Sequence, residues 1–557
     1  ARVSFCWPSP LLLFLMRGRV WVPWTLLVLF TCGFVTITVL TFLPQGTEQI
    51  FPIQYAVLLD AGSSGTRVNV FEYPFRQDRS VPPLLSPVEV KNHACGNLKP
   101  PLASFASKSD LELAAYLNEA IQCANSVVPS NVRKETSFYV YGTAGMRGLP
   151  VDQQESLCQR IEKVLESLSS YRLTEPGGKS TVQVISGLHE GVWGFVTLNF
   201  LLGTLGIGEE NFSPLSTYGA LDLGGASTQM TFYSEEREMP VDYTYKFYIG
   251  DRMLEVYSHS YLGYGRDLAN ATYYQNLVDS GADWTKNPCL PKGLVDTVPA
   301  TVNFSVPVTT PVHVNGTGDV DACRALVKKM FDKTVPCEDK TCSFDGVFQP
   351  PVRGSYYAFS AFYYTASVLG ASLHPTIQEL QDLTAKYCTT DGKTLIDRYK
   401  GTDTEDYITQ YCFTGVYMTT LMSWGYGLPL STPGLLTITD SIKNISIGWA
   451  LGAVLQMENL LPITPVYKKE YIMPRPLGFI LSGFAGTFML AMVGWLLVGW
   501  FRRVSSQRDQ NGSINSPYVT FSGSSAAMMD GRSSIHYHNQ AQSGDFKSLA
   551  GYTTPRT

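Results

Sequence analysis

Residues 55–66 read Tyr-Ala-Val-Leu-Leu-Asp-Ala-Gly-Ser-Ser-Gly-Thr, and residues 218–228 read Tyr-Gly-Ala-Leu-Asp-Leu-Gly-Gly-Ala-Ser-Thr. Each is a short apolar run meeting Asp-x-Gly and then small residues ending in Thr, from Asp60 to Thr66 and from Asp222 to Thr228. An apolar run that feeds a Gly/Ser turn predicts a strand ending in a tight hairpin. Glycine lets the backbone approach a ligand and aim successive N–H groups at it, which suits a phosphate. An aspartate at the strand end can hold the hydrated cation that phosphates bring with them. Two such loops in one chain predict a duplicated fold that grips one polyphosphate from both sides.

Two further segments share this character. Phe138-Tyr-Val-Tyr-Gly-Thr-Ala-Gly-Met-Arg147 is another apolar run ending in a small-residue turn. Val184-Ile-Ser-Gly-Leu-His-Glu-Gly-Val-Trp-Gly194 sets a lone carboxylate, Glu190, between a glycine turn and an apolar, helix-like run. If the turns converge on a phosphate chain, that carboxylate can deprotonate a water. The plainer reading of Glu190 is a first-turn acid that complements the helix dipole. His189 beside it reads as a packing or surface residue.

The chain of 557 residues is long enough for two or three domains, and its net charge of -5 gives no basic footprint for nucleic acid. Two stretches, 20–43 and 477–501, carry no charged residue. Each exceeds the roughly 20 residues a helix needs to cross a bilayer. Arg17 and Arg19 precede the first, and Arg502 and Arg503 follow the second, which predicts cytoplasmic termini. The length of the first stretch and its lack of a small-residue cleavage site favour an anchor over a signal peptide. Residues 1–19 are then cytoplasmic, and 502–557, rich in Ser, Gly, Gln and Asn, form a disordered cytoplasmic tail.

The middle portion should face the lumen or the exterior. Sequons at Asn211, Asn270, Asn303, Asn315 and Asn444 fit that side as glycosylation sites. Nine of the eleven cysteines lie there too, as expected of an oxidising compartment. Their local spacing suggests the bridges Cys95–Cys123, Cys289–Cys323, Cys337–Cys342 and Cys388–Cys412, leaving Cys158 as a buried free thiol. No Cys-x-x-Cys pair occurs and the histidines lack zinc spacing, so no structural metal site is expected.

Taken in order, these motifs resemble those of the ecto-apyrases, the membrane-bound nucleoside triphosphate diphosphohydrolases. The five signature regions stand here as Asp60-Ala-Gly-Ser-Ser-Gly-Thr-Arg67, Gly142-Thr-Ala-Gly-Met-Arg147, Ser186-Gly-Leu-His-Glu-Gly191, Asp222-Leu-Gly-Gly-Ala-Ser-Thr-Gln229 and Ala358-Phe-Ser-Ala-Phe-Tyr-Tyr364. Further matches are residues 257–265 and Trp449-Ala-Leu-Gly452, so the resemblance covers roughly 52–460, and the two-anchor layout agrees with it.

The resemblance implies an α/β fold of two ribonuclease H-like lobes of the actin and sugar-kinase type, flanked by the two transmembrane helices. Lobe I would hold 51–186 with a returning segment 446–470, and lobe II 187–445. It implies stepwise hydrolysis of nucleoside tri- and diphosphates (ATP, ADP, UTP, UDP) to monophosphates with Ca2+ or Mg2+. Carried over by position, Glu190 matches the catalytic base, and Ser64, Thr143, Ser227 and Gln229 fall at phosphate- or water-positioning places. Asp60 and Asp222 match the acids that hold the metal through water. Gly62, Ser63, Ser64, Gly65 and Thr66 fall at phosphate-binding places, as do Thr143, Ala144 and Gly145 in the second region and Gly224, Gly225 and Ala226 in the fourth. Tyr363 matches the aromatic on which the family stacks the base; its plainer reading is core packing.

One departure bears on residence. Vertebrate cell-surface members typically have His where Gly65 stands, and Gly followed by Arg67 is more like plant and endomembrane relatives. Two compartments stay open: the plasma membrane with an extracellular catalytic domain, or the Golgi or another endomembrane with lumenal clearance of UDP or GDP. A non-enzymatic nucleotide-binding receptor and a kinase on the same scaffold are the readings of other classes. Retention of Glu190, Asp60, Asp222 and Gln229 together argues against the receptor. The spans are expected to contact lipid and to support homo-oligomers.

Overall fold

The apolar run Ile53–Ala61 forms β1, the centre of a five-stranded sheet, buried from Ala56 to Ala61. A central strand covered on both faces should read as a continuous apolar run, and this one does. In the computed structural model residues 53–74, 90–174, 178–207, 212–236, 238–249, 252–280, 283, 285–298, 302, 312–337, 341–461 and 498 are described. The expected spans (Val498 apart), the tail, residues 462–470 of the returning segment, and Asn211 and Asn303 lie outside them. No helix among the described residues is long and apolar enough to cross a membrane. The chain divides into two units, Ala1–Lys468 and Lys469–Thr557, and every element below belongs to the first.

The first sheet runs β3-β2-β1-β4-β5, with β2 at Thr66–Pro74, β3 at Lys91–Leu98, β4 at Ser137–Gly142 and β5 at Val182–Val184. β2 pairs antiparallel with β1, and β4 pairs parallel with it on the other side. The second sheet repeats the plan. It contains β6 (Gly219–Leu223), β7 (Ser227–Tyr233), β8 (Thr244–Ile249) and β9 (Arg252–Leu262). After a small sheet of β10 (Lys286–Asn287), β11 (Val295–Thr297) and β12 (His313–Gly316), the chain adds β13 (Tyr356–Ser360) and β14 (Leu436–Ile438). The order is β14-β13-β6-β7-β9-β8, so with the edge strand β8 set aside each sheet reads third, second, first, fourth, fifth. β15 (Ser441–Ile442) and β16 (Ile445–Ser446) form a short hairpin before the helix Trp449–Met457.

Alternation along each strand sends its side chains to two different cores. From β1, Val57 and Leu59 enter a core with Leu117 and Ile161, which belong to the helices Asp110–Val127 and Val151–Leu168. Ala56 and Leu58 enter another core, shared with Ala220, Val256 and Phe359 of the second sheet. The helices Gly187–Leu202 and Trp449–Met457 fill that shared core, so they lie between the two sheets. The outer face of the second sheet packs Leu221, Met230 and Tyr356 against helices that include Ala361–Leu369 and Gln410–Thr420.

The two central helices cross closely. The backbone N–H of Gly452 donates to Thr197 Oγ1 at 2.7 Å, and a methyl group at Gly452 would lie 2.1 Å from the Trp193 carbonyl oxygen. Only glycine permits that approach. Trp193 Nε1 donates to Gln456 Oε1 at 2.6 Å, and its ring stacks on Trp449.

Disulfides join Cys289 to Cys323, Cys337 to Cys342 and Cys388 to Cys412. Cys123 is disulfide-bonded, while the Cys95 side chain lies outside those described. Cys158 is a free thiol, half-buried, its pKa pushed up to about 11 by burial. Asn315 and Asn444 are exposed and Asn270 is half-buried.

Candidate active site

The two quoted stretches fold as geometric copies. After Asp60 the chain turns so that Gly62 N–H donates to Gly65 O at 3.0 Å; after Asp222, Gly224 N–H donates to Ser227 O at 3.0 Å. Each is the same turn at the same offset from its aspartate, closing the hairpins β1–β2 and β6–β7. The loops also meet. A methyl group at Gly225 would lie 2.6 Å from Ser63 Oγ, and one at Gly145 would lie 2.8 Å from Ser63 Cα. Glycine at these points brings three turns, one after each of β1, β4 and β6, around one cavity.

Asp60, Gly62, Ser63 and Ser64 line that cavity from the first loop, and Thr143 and Ala144 line it from the turn after β4. Glu190 and Asp222, with Gly224, Gly225, Ala226 and Ser227, complete the expected set on its wall. Gly65, Thr66, Gly145 and Gln229 stand outside the lining; Gln229 is buried directly behind Ser227. Tyr363 is also outside it, packed against the outer core of the second sheet, while its neighbour Tyr364 lines the cavity. Successive helical residues point about 100° apart, so only one of the pair can face the opening.

Glu190 lies in the first turn of Gly187–Leu202, whose N-cap Ser186 accepts from His189 N–H. Arg147 Nη2 donates to Glu190 Oε2 at 2.8 Å and to Ser227 Oγ at 3.3 Å, while Nη1 donates to Ile185 O at 3.1 Å. Gln229 Nε2 donates to Ser227 Oγ at 2.7 Å and to Ser260 Oγ at 3.0 Å. Ser227 therefore accepts from two side chains, leaving its own hydroxyl proton to donate toward a water. Arg147 occupies one carboxylate oxygen of Glu190, fixing its orientation.

Burial is the dominant influence on the three carboxylates. It pushes Glu190 up to about 7; Arg147 opposes the shift, and the charges of Asp222 and Asp60 add to it. Asp222 is pushed up to about 6, mainly by burial, against a Ser360 hydrogen bond and the Arg67 charge. Asp60 is raised by burial against its ion pair with Arg67, Nη1 to Oδ2 at 3.3 Å. A carboxylate near neutrality can both take and release a proton at physiological pH, as a general base requires.

The folded value of Glu190, about 7, lies above its ordinary 4.5, so the folded chain holds this proton more tightly than the unfolded one. The resulting stability is present below the ordinary value and lost as pH rises through the folded one. In EDTA, Glu190→Gln, neutral at every pH, should melt increasingly above wild type as pH is raised from about 5 to about 8. A constant difference in melting temperature across that range would refute the raised value.

Among the described residues no group of three or more His, Cys, Asp or Glu side chains is gathered as a metal cage. The cavity nonetheless suits a hydrated divalent cation, which needs one or two carboxylates and takes its other ligands from water and phosphate. Asp60 and Asp222 both line it, and the buried Asp222 Oδ1 has no hydrogen-bond partner.

Several residues here had no role in the sequence reading. Arg147 closed a quoted motif, and its reach to Glu190 is tertiary. Ser360, the last residue of β13, holds φ 58° and ψ -128°, an unfavourable conformation for a non-glycine residue, and lines the cavity near Asp222. Trp449, at the start of the helix Trp449–Met457, lines the cavity near Asp60. Arg67 and Arg266 line it as well.

The profile of the GDA1/CD39 (nucleoside phosphatase) family matches residues 49–473. Ectonucleoside triphosphate diphosphohydrolase 1 of Rattus norvegicus is 30% identical over 471 residues, covering 81% of this chain and 88% of that protein. Probable apyrase 3 of Arabidopsis thaliana is 32% identical over 414 residues, covering 72% and 82%. Among solved structures, a nucleoside triphosphate hydrolase from Neospora caninum superposes with a TM-score of 0.55 at 15% identity, over 77% of this chain and 96% of that one. That likeness concerns the α/β fold.

Proposed function

The chain belongs to the GDA1/CD39 (nucleoside phosphatase) family, and on that premise we propose that it hydrolyses nucleoside tri- and diphosphates (ATP, ADP, UTP and UDP) to monophosphates, with Glu190 as base. It is an apyrase-type hydrolase. The observation that carries the mechanism is Glu190 itself. It is buried on the wall shared with both Asp-Gly loops, near neutrality, and held by Arg147 through one oxygen.

In this reading the N–H groups of the two loops receive the phosphate oxygens and keep the chain extended for in-line attack. Ser227, held by Gln229, orients a water, and Glu190 takes its proton as the water oxygen bonds to the terminal phosphorus. The bond from phosphorus to the bridging oxygen breaks, releasing orthophosphate and the shortened nucleotide. A divalent cation, Ca2+ or Mg2+, held through water by Asp60 and Asp222, would supply positive charge to offset the phosphate oxygens. The two sheets, with the helix Trp449–Met457 returning between them, support reading the fold as two ribonuclease H-like lobes of the actin and sugar-kinase type.

Tyr364 takes the base-stacking role in this account, because it and not Tyr363 lines the cavity. Tyr364→Ala should raise KM for ATP about tenfold, as expected for loss of one stacking partner, with little change in kcat. Steady-state kinetics check it. An unchanged KM would remove Tyr364 from base binding.

The spans at 20–43 and 477–501 and the exposed sequons at Asn315 and Asn444 support a membrane-anchored chain whose cavity faces the exterior or the lumen, and the reading adopted is the plasma membrane. Gly65 and Arg67 favour the second reading, a lumenal nucleoside diphosphatase of an endomembrane. Phosphate release from ATP, ADP, UDP and GDP by intact and then permeabilised expressing cells separates the two. Release by intact cells supports the surface enzyme. Release of phosphate from UDP or GDP only after permeabilisation supports the lumenal one, and silence in both overturns the catalytic reading.

A further inference from the structure

The duplicated hairpins differ at the register position opposite the aspartate. Asp60 lies opposite Arg67 across β1–β2, and Asp222 lies opposite Gln229 across β6–β7. In the first hairpin the guanidinium turns onto the aspartate, with Nη1 3.3 Å from Asp60 Oδ2. In the second the amide reaches Ser227 and Ser260 instead, and Asp222 Oδ1 has no hydrogen-bond partner. One of the two acids is thus paired with a positive charge, and the other has no ion pair and one oxygen without a partner.

The cover is not locked in place. The Arg67 side chain is 54% exposed while that of Asp60 is 12% exposed, and their one contact is monodentate. Arg67 lines the same cavity as the phosphate-binding loops and also feels the charge of Asp222. A guanidinium presents a planar fork of donors that matches phosphate oxygens in pairs, so a phosphate chain can outcompete a single-point contact to a carboxylate.

We propose that Arg67 is the internal counter-cation of Asp60: without nucleotide its guanidinium competes with the divalent cation for that carboxylate, and an arriving phosphate chain draws it away, so that cation and polyphosphate bind as a coupled pair. The proposal rests on the nucleotidase reading above. It makes Arg67 a positioning residue whose effect appears in binding linkage. By reciprocity, the cation tightens phosphate binding by the same factor as phosphate tightens cation binding.

The test uses the full chain in nanodiscs, Mn2+ as the cation and methylenediphosphonate, whose P–C–P bond resists hydrolysis, as the anion. Calorimetry gives the Mn2+ dissociation constant with and without saturating methylenediphosphonate. In wild type the anion should tighten Mn2+ binding by about tenfold or more, the size expected for a partly screened charge at close range. Arg67→Gln should bind Mn2+ alone about tenfold more tightly than wild type, and its coupling factor should fall toward one. Arg67→Lys keeps the charge without the fork, so it should show an intermediate factor and read the same quantity if the Gln variant folds poorly. Mn2+ affinity and coupling within twofold of wild type in either folded variant would overturn the proposal. Absence of Mn2+ binding to wild type with the anion present overturns both this proposal and the metal role in the nucleotidase reading. Intact Mn2+ coupling in a wild-type protein that releases no phosphate from any nucleotide would sink the nucleotidase reading and leave the Arg67 linkage standing.

Discussion

Glu190→Gln should reduce kcat by about 10²- to 10⁴-fold, the range general-base catalysis typically supplies, while nucleotide affinity changes little. The amide keeps the shape of the side chain and can still meet Arg147, whose Nη2 lies 2.8 Å from Oε2 in the native protein. What it loses is the ability to accept the water's proton, which matters only in the transition state. Single-turnover rates with ATP, set beside equilibrium nucleotide binding, separate these effects. A residual rate above about a tenth of wild type would assign proton abstraction to another group. Loss of binding in step with rate would mean that Glu190 holds the ground state rather than the reaction.

The second large effect lies away from the cavity. Gly452→Ala sets a methyl group 2.1 Å from the Trp193 carbonyl oxygen, so the two central helices must separate. The neighbour is backbone in the middle of a helix and cannot rotate aside. Separation also stretches the Gly452 N–H bond to Thr197 Oγ1, now 2.7 Å. Overpacking of this kind typically costs about 1–3 kcal/mol, to which the strained hydrogen bond adds. The same helix begins at Trp449 in the cavity wall, so the loss should appear in activity as well as in melting temperature. Gly194→Ala is the control, since a methyl there meets only Phe359 at 3.7 Å. Equal melting temperatures for the two variants would contradict the tight crossing.

The first of these effects concerns a residue that could be read from the sequence, and the second does not. The hairpins after Asp60 and Asp222 were legible because a turn is a local event, fixed by a few residues whose backbone preferences are strong. The position of Glu190 was legible for a related reason: a glycine turn before an apolar run announces the start of its helix, which the structure caps with Ser186. The placement of Tyr364 rather than Tyr363 in the cavity was not, because both sit in one apolar helix and the choice depends on how that helix rotates over β13. The same limit hid Arg147. Its guanidinium reaches Glu190 across 43 positions of sequence, and nothing local to Gly142–Arg147 fixes that direction. Gln229 shows the converse. Its motif position was quoted from the sequence, but it lies two residues further along β7 on the same face as Ser227, so it is buried behind that hydroxyl and holds it rather than lining the cavity.

Gly452 lay in a quoted motif without a stated purpose, since the need for glycine there comes from a helix more than two hundred residues away. Ser360 is similar. Its left-handed φ belongs to the junction of β13 with the following helix, and the sequence around it, Ala358-Phe-Ser-Ala-Phe362, contains no glycine or asparagine to announce it. Strain of this kind persists only where the surroundings enforce it, here beside an acid of the cavity.

The most direct test of the whole account is phosphate release by the purified full-length protein from ATP and from ADP, with Ca2+ or Mg2+ and then with EDTA, wild type beside Glu190→Gln. Release from both nucleotides should end at AMP, be lost in EDTA, return with added cation, and fall by about 10²-fold or more in the variant. Release that survives EDTA, or a variant as active as wild type, would contradict the account.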